Sequence, residues 1–105
     1  MSRRQAQVRK AGVLAGVLQE LEDGSFRFEY LGDYRGAPIS LTMPSQQREW
    51  LWTGFPPFFD GLLPEGSQLD ALLKIKKIDR TDYFGQLMAV GADLVGDVIV
   101  EPIDP

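Results

Sequence analysis

Chemistry in this chain has to come from carboxylates, lysines and hydroxyls, because its 105 residues include no cysteine and no histidine. The commonest general base, the commonest metal ligand, thiolate sites and disulfides are removed together. The acidic pair Glu22-Asp23 falls in a stretch with the pattern of a hairpin turn, where both side chains are expected to be solvated. No Gly-x-Gly-x-x-Gly, phosphate-loop or Gly-x-Ser-x-Gly pattern occurs. Gly91-Ala-Asp-Leu-Val-Gly96 has glycine spacing, but it leads into an expected strand, whereas a phosphate cradle opens a helix. No catalytic residue, cofactor or metal is expected. The residue types point to a binding module rather than an enzyme.

Two groups of residues are suited to binding. Trp50, Trp52 and Phe55 crowd a short stretch, with Arg48 and Glu49 beside them as a polar rim. The plain reading of the two tryptophans is that one or both fold back as a lid over the core. Tryptophan and arginine are also enriched among residues that dominate interface energies, so this stretch is the first candidate for a partner-docking site. The second candidate is the basic group Lys74, Lys76, Lys77 and Arg80. A further basic group, Arg3, Arg4, Arg9 and Lys10, begins the chain. The formal net charge is nevertheless −4, so direct nucleic-acid binding by bulk electrostatics is not expected. The plain reading of both basic groups is a solvated terminus and a solvated helix face.

These residues must be positioned by a single domain, 1–105, whose residues 1–7 are expected to be flexible. Ser2-Arg3-Arg4 followed by the apolar run Ala11 to Leu18 superficially resembles an export signal. Arg9 and Lys10 abut the run, and Gln19-Glu20 follows without a small-residue cleavage site. No apolar stretch approaches the ~20 residues of a membrane span, and a cytoplasmic protein is expected.

Gln5 to Leu21 has the pattern of two strands turning at Ala11-Gly12, with Ala6 and Val8 inward. Gly16 marks a bulge or a close backbone approach. Asp23-Gly24 is the clearest hairpin turn. Phe26, Phe28 and Tyr30 then alternate with Arg27 and Glu29, which predicts a half-buried strand with an aromatic core face. Ile39, Leu41 and Met43 alternate with Ser40 and Thr42 between prolines, predicting a short edge strand. Ser45 to Gly54 is expected to be a polar loop.

Pro56-Pro57 favours a short helix from Phe58 to Leu63, stopped by Pro64 and Gly66. Ser67 is placed to cap a second helix, Gln68 to Lys77, with an Asp70–Lys74 pair and an apolar face of Leu69, Leu72, Leu73 and Ile75. Thr81 is placed to cap a third, Asp82 to Val90, ending at Gly91. Leu94 to Glu101 is the last strand. The fold class is therefore α+β: a small, curved, barrel-like antiparallel sheet of about five strands, with three short helices inserted before the last strand.

Several of these stretches, in this order, resemble the N-terminal subdomain of the HipA family of serine/threonine kinase toxins, from about Val8 to Ile103. They are Ala15-Gly-Val-Leu18, Gly24-Ser-Phe-Arg-Phe28 with Tyr30, and Pro38-Ile-Ser-Leu-Thr-Met-Pro44. Phe58-Phe-Asp-Gly-Leu-Leu-Pro-Glu-Gly66, Asp82-Tyr-Phe84 with Leu87, and Gly91 followed by Val95-Gly-Asp-Val98 complete the set. In HipA-type kinases a larger kinase body follows this segment and holds the catalytic residues. None of those carries over, because this chain stops at Pro105.

It is similar to the stand-alone HipS-like version of tripartite HipBST toxin–antitoxin operons. That resemblance implies an antitoxin supplied in trans to a short HipT-like serine/threonine kinase toxin that lacks the subdomain. A HipB-like helix-turn-helix protein would be the third partner. The resemblance also makes Phe58, Phe59, Leu62 and Leu63 expected core, and moves the expected docking contact upstream to the tryptophans. The alternative role is a transcriptional accessory that stabilises the HipB-like repressor on operator DNA, using the basic terminus. A weaker one is a subdomain that only assists kinase folding.

Overall fold

The structure is a computed structural model that describes residues 2–94 and 96–103. The chain starts as a β-hairpin. Strand β1 (Ser2–Lys10) turns through Ala11 and Gly12, whose φ angles are 50° and 81°, into β2 (Val13–Leu21). Two successive positive φ values give the turn the right-handed twist that a tight hairpin needs. A second hairpin joins β2 to β3 (Phe26–Tyr30). The Asp23 carboxylate accepts from the backbone of Ser25 at 2.9 Å, while Gly24 takes φ 87°, an Asx-type turn.

After a long loop comes β4 (Glu49–Trp52), then α1 (Pro57–Asp60), α2 (Gly66–Lys76) and α3 (Tyr83–Val90). A single 3-10 turn, Gly91–Asp93, leads to β5 (Val98–Pro102). The order in the sheet is β4-β3-β2-β1-β5, with all neighbours antiparallel. The α+β class and the five-strand count agree with the sequence reading. The sheet is open, however: β4 and β5 are its two edges, and no pairing closes it into a barrel among the described residues.

The register puts the core on one face. One row runs Trp50, Phe28, Leu18, Ala6; the next runs Tyr30, Gly16, Val8, Val100. Phe59 of α1 and Phe84 and Leu87 of α3 are buried against this face. An added Cβ at Gly16 would stand 2.5 Å from the Glu29 carbonyl oxygen and 2.6 Å from the Phe28 ring. The close approach expected there is real. Val8 opposes Gly16 while Arg9 opposes Leu14, so Ala15 is the extra residue of a bulge.

Several boundaries differ from expectation, each for a local reason. The N-terminal segment expected to be flexible is strand from Ser2 onward, paired with β2 on one side and β5 on the other. Ile39 to Met43 is not a strand. The buried Tyr30 hydroxyl accepts from the Ile39 amide at 3.0 Å and donates to the Met43 carbonyl at 2.5 Å. That hydroxyl satisfies backbone groups that a strand would have paired. Ile39 and Met43 are buried as expected, but Leu41 points out, 96% exposed.

The edge strand is instead Glu49–Trp52, inside the stretch expected to be a loop. Helix α1 ends at Asp60, and α2 begins at Gly66 without a side-chain cap. Asp70 pairs with Arg80 at 2.7 Å rather than with Lys74. Asp82, not Thr81, caps α3, accepting from the Gly85 amide at 3.0 Å. The last strand starts at Val98; position 95 of that expected strand, like position 1, lies outside the described residues.

Candidate partner-docking surface

Strand β4 decides what the two tryptophans can do. Side chains alternate across a strand, and its burial follows that period: Trp50 and Trp52 are half-buried, Glu49 and Leu51 exposed. Trp50 lies edge-on to Tyr30, with ring centroids 5.7 Å apart, and tilted to Phe28 at 6.4 Å. Both tryptophans reach across the rim of the core. Together with Thr42, Met43, Pro57 and Phe58 they line an open groove of about 300 Å³. Leu41 stands beside it in sequence, almost fully exposed.

The other expected contact residues are dispersed. Phe55 is half-buried, edge-on to Phe26 at 5.2 Å and tilted to Tyr83 at 5.8 Å. Glu49 faces the side of the sheet away from the tryptophans and pairs with Arg27, which also reaches Glu29 at 3.0 Å. Arg48 turns its guanidinium inward. It donates to the carbonyls of Ser45 (2.8 Å), Tyr34 (3.1 Å) and Leu31, and stacks over the Tyr30 ring at 5.5 Å. It fastens the loop ahead of β4 rather than forming a rim. Phe59 is fully buried, whereas Phe58, Leu62 and Leu63 are half-buried. The core assignment of Phe58 is thus only partly right: its outer side lines the groove.

Sequence reasoning missed Met43 and Phe58 as groove residues. Their signal was available in the prolines that flank both, but only the folded arrangement brings residues 42–43 and 57–58 together. Lys74, Lys76 and Lys77 are exposed at the end of α2, a helix with no buried residue and with Ile75 73% exposed. Lys77 takes φ 55° as the left-handed cap.

The first basic group is largely neutralised. Arg4 reaches Glu20 and Asp82, each at 2.7 Å, and lies over the Phe84 ring at 5.1 Å. Arg9 pairs with Glu101 at 3.0 Å and Lys10 with Asp97 at 2.8 Å. The hydrogen bond from Arg4 holds the Asp82 carboxyl below its usual range, and that from Lys10 does the same for Asp97. Burial pushes the Tyr30 hydroxyl up. Among the described residues no group of three His, Cys, Asp or Glu side chains is placed to hold a metal ion, and no helix is long and apolar enough to cross a membrane.

The family model described as the HipA N-terminal domain matches residues 6–101. The chain belongs to the HipA N-terminal domain family. A solved structure, the N-terminal domain of HipA toxin, superposes with a TM-score of 0.76 at 31% sequence identity, covering 96% of this chain and 93% of that one. An uncharacterized protein of Haemophilus influenzae (strain ATCC 51907 / DSM 11121 / KW20 / Rd) is 33% identical over 90 residues, which are 86% of this chain and 84% of that protein. Membership ties this HipA-type domain to toxin–antitoxin proteins, as the resemblance implied.

Proposed function

We propose that this protein is a cytoplasmic antitoxin. It docks non-covalently, in trans, on a HipT/HipA-like serine/threonine kinase toxin and inhibits it, with no catalysis of its own. The observation that carries this reading is the family match over residues 6–101, strengthened by the likeness to the HipA toxin N-terminal domain. A trans-acting subdomain requires such domains to occur as nearly whole proteins, and the match fills 84% of the Haemophilus relative. The groove between Trp50, Trp52, Met43 and Phe58 suits docking: it is apolar and lies at a sheet edge, and Leu41, next in sequence to its lining residue Thr42, is exposed. The lysine end of α2 is the second candidate surface.

The transcriptional alternative asks for a basic terminus free to meet phosphates. Arg4, Arg9 and Lys10 are instead committed to carboxylates, which removes most of the charge that counterion release would draw on. The deciding experiment mixes the purified protein with a HipT-like kinase encoded beside it, and follows autophosphorylation and gel filtration together. Co-elution with loss of autophosphorylation is expected. Separate elution with unchanged activity would sink the proposal.

A further inference from the structure

Five basic side chains, Arg4, Arg9, Lys10, Arg27 and Arg80, pair with carboxylates. Among the described residues Arg35 and Arg48 have no such partner. Each bonds only to backbone carbonyls: Arg35 Nη1 to Gly32 (2.8 Å) and Tyr34 (3.1 Å), Arg48 to Ser45, Leu31 and Tyr34. The Tyr34 carbonyl oxygen therefore accepts from both guanidiniums. Each of these two bonds is 3.1 Å, so the two nitrogens stand no further apart than twice that length. Two cations held this close, with no carboxylate among the described residues paired to either, repel each other, in a protein whose net charge is negative.

The pair lines an open cavity of about 480 Å³ with Gly32, Tyr34, Ser45 and Gln46, and none of these lining residues is acidic. A guanidinium has five N–H donors. The carbonyls engage only Nη1 of Arg35 and the Nη atoms of Arg48. Among the described residues both Nε–H groups and the Nη2 group of Arg35 have no acceptor and remain for a ligand, and Ser45 and Gln46 line the same cavity. Arg48 is already fixed by three carbonyls and by the Tyr30 ring, so binding costs it little freedom.

We propose that this cavity binds an oxyanion, and a phosphoryl group in preference to a carboxylate. Two forked guanidiniums match the charge and the oxygens of a phosphate-monoester dianion, whereas a carboxylate neutralises one cation and leaves the repulsion. The site does not depend on the docking reading above.

The test is an NMR titration of the full chain at constant ionic strength, with inorganic phosphate, phosphoserine and acetate as separate probes. Saturable shifts are expected at the Arg35 and Arg48 Nε–H signals and at the amides of 32–35 and 45–48 with both phosphates, in the millimolar range. Arg35→Gln, an exposed substitution that leaves the loop staple in place, should weaken binding about tenfold, while the spectrum elsewhere stays unchanged. Tighter binding of phosphoserine than of inorganic phosphate supports a phosphorylated side chain as the source; equal binding supports a free anion. Acetate binding as tightly as phosphate, no saturation, or undiminished affinity in Arg35→Gln would overturn the proposal.

Discussion

Arg4 joins three parts of the molecule: its own strand, Glu20 on β2 and Asp82 at the start of α3. The Glu20 side chain is only 12% exposed, so removing Arg4 strands a charge that water hardly reaches. Arg4→Ala should cost ~2–3 kcal/mol. Arg9→Ala breaks a pair with Glu101 that water reaches on both sides and should cost less than ~1 kcal/mol. Urea unfolding of the two variants measures the difference, and equal costs would contradict this account of burial. Gly16 is the other decisive single residue. Gly16→Ala drives a methyl group into the Glu29 carbonyl and the Phe28 ring, and a loss of ~1–3 kcal/mol is expected from overpacking. Gly32→Ala is its control: no atom lies within reach of an added Cβ there, so its melting temperature should barely move.

Strand β4 is the element where sequence and structure part most informatively. Four residues give too short a run for the period-two signal to stand out against Gln46, Gln47 and Thr53. The pairing partner β3 supplies the missing reason. Trp50 opposes Phe28 and Trp52 opposes Phe26, and cross-strand aromatic pairs stabilise such a register. The same pairing faces both tryptophans toward one groove and turns Glu49 away.

The docking reading predicts a matching split. Trp50→Ala and Trp52→Ala should each weaken kinase inhibition by ~2 kcal/mol, whereas Glu49→Ala leaves it unchanged. Dose-response curves of autophosphorylation measure this, with circular dichroism confirming that each variant folds. A strong effect of Glu49→Ala with none from the tryptophans would move the contact to the opposite face. The Lys74 to Arg80 end was legible as a basic helix terminus, but Arg80 is diverted to Asp70. The loop at Ile39 to Met43 had the alternation of a strand and lost it to one buried hydroxyl, that of Tyr30.

At the scale of the whole molecule, ion pairs tie the N-terminal hairpin to α3 and β5, and this fixes the sign of the acid response. Asp82 and Asp97 hold their protons less tightly when folded than when unfolded, because Arg4 and Lys10 donate to their ionised forms. Their contribution to stability is complete above the ordinary carboxylate pKa of about 3.9, and is lost as pH falls through the lower folded values. Melting temperatures should therefore be flat from neutrality to about pH 5 and drop steeply below about pH 4. Arg4→Ala should blunt that drop. A steep loss already near pH 6 would contradict the assignment, since the chain has no histidine to titrate there.

Composition and local pattern were enough for the α+β class, the two N-terminal hairpins, the aromatic face of Phe26, Phe28 and Tyr30, and the close approach at Gly16. Each of these depends on side chains two to four positions apart, or on one glycine, and so is written locally. Tertiary structure alone decided that no pairing among the described residues closes the sheet, that β4 lies at residues 49–52, and that Leu41 points outward. It also decided that Arg48 serves its own loop, and that Arg35 and Arg48 meet over one carbonyl. Those outcomes depend on which distant groups satisfy a backbone amide or a charge, and neither spacing nor composition encodes that choice.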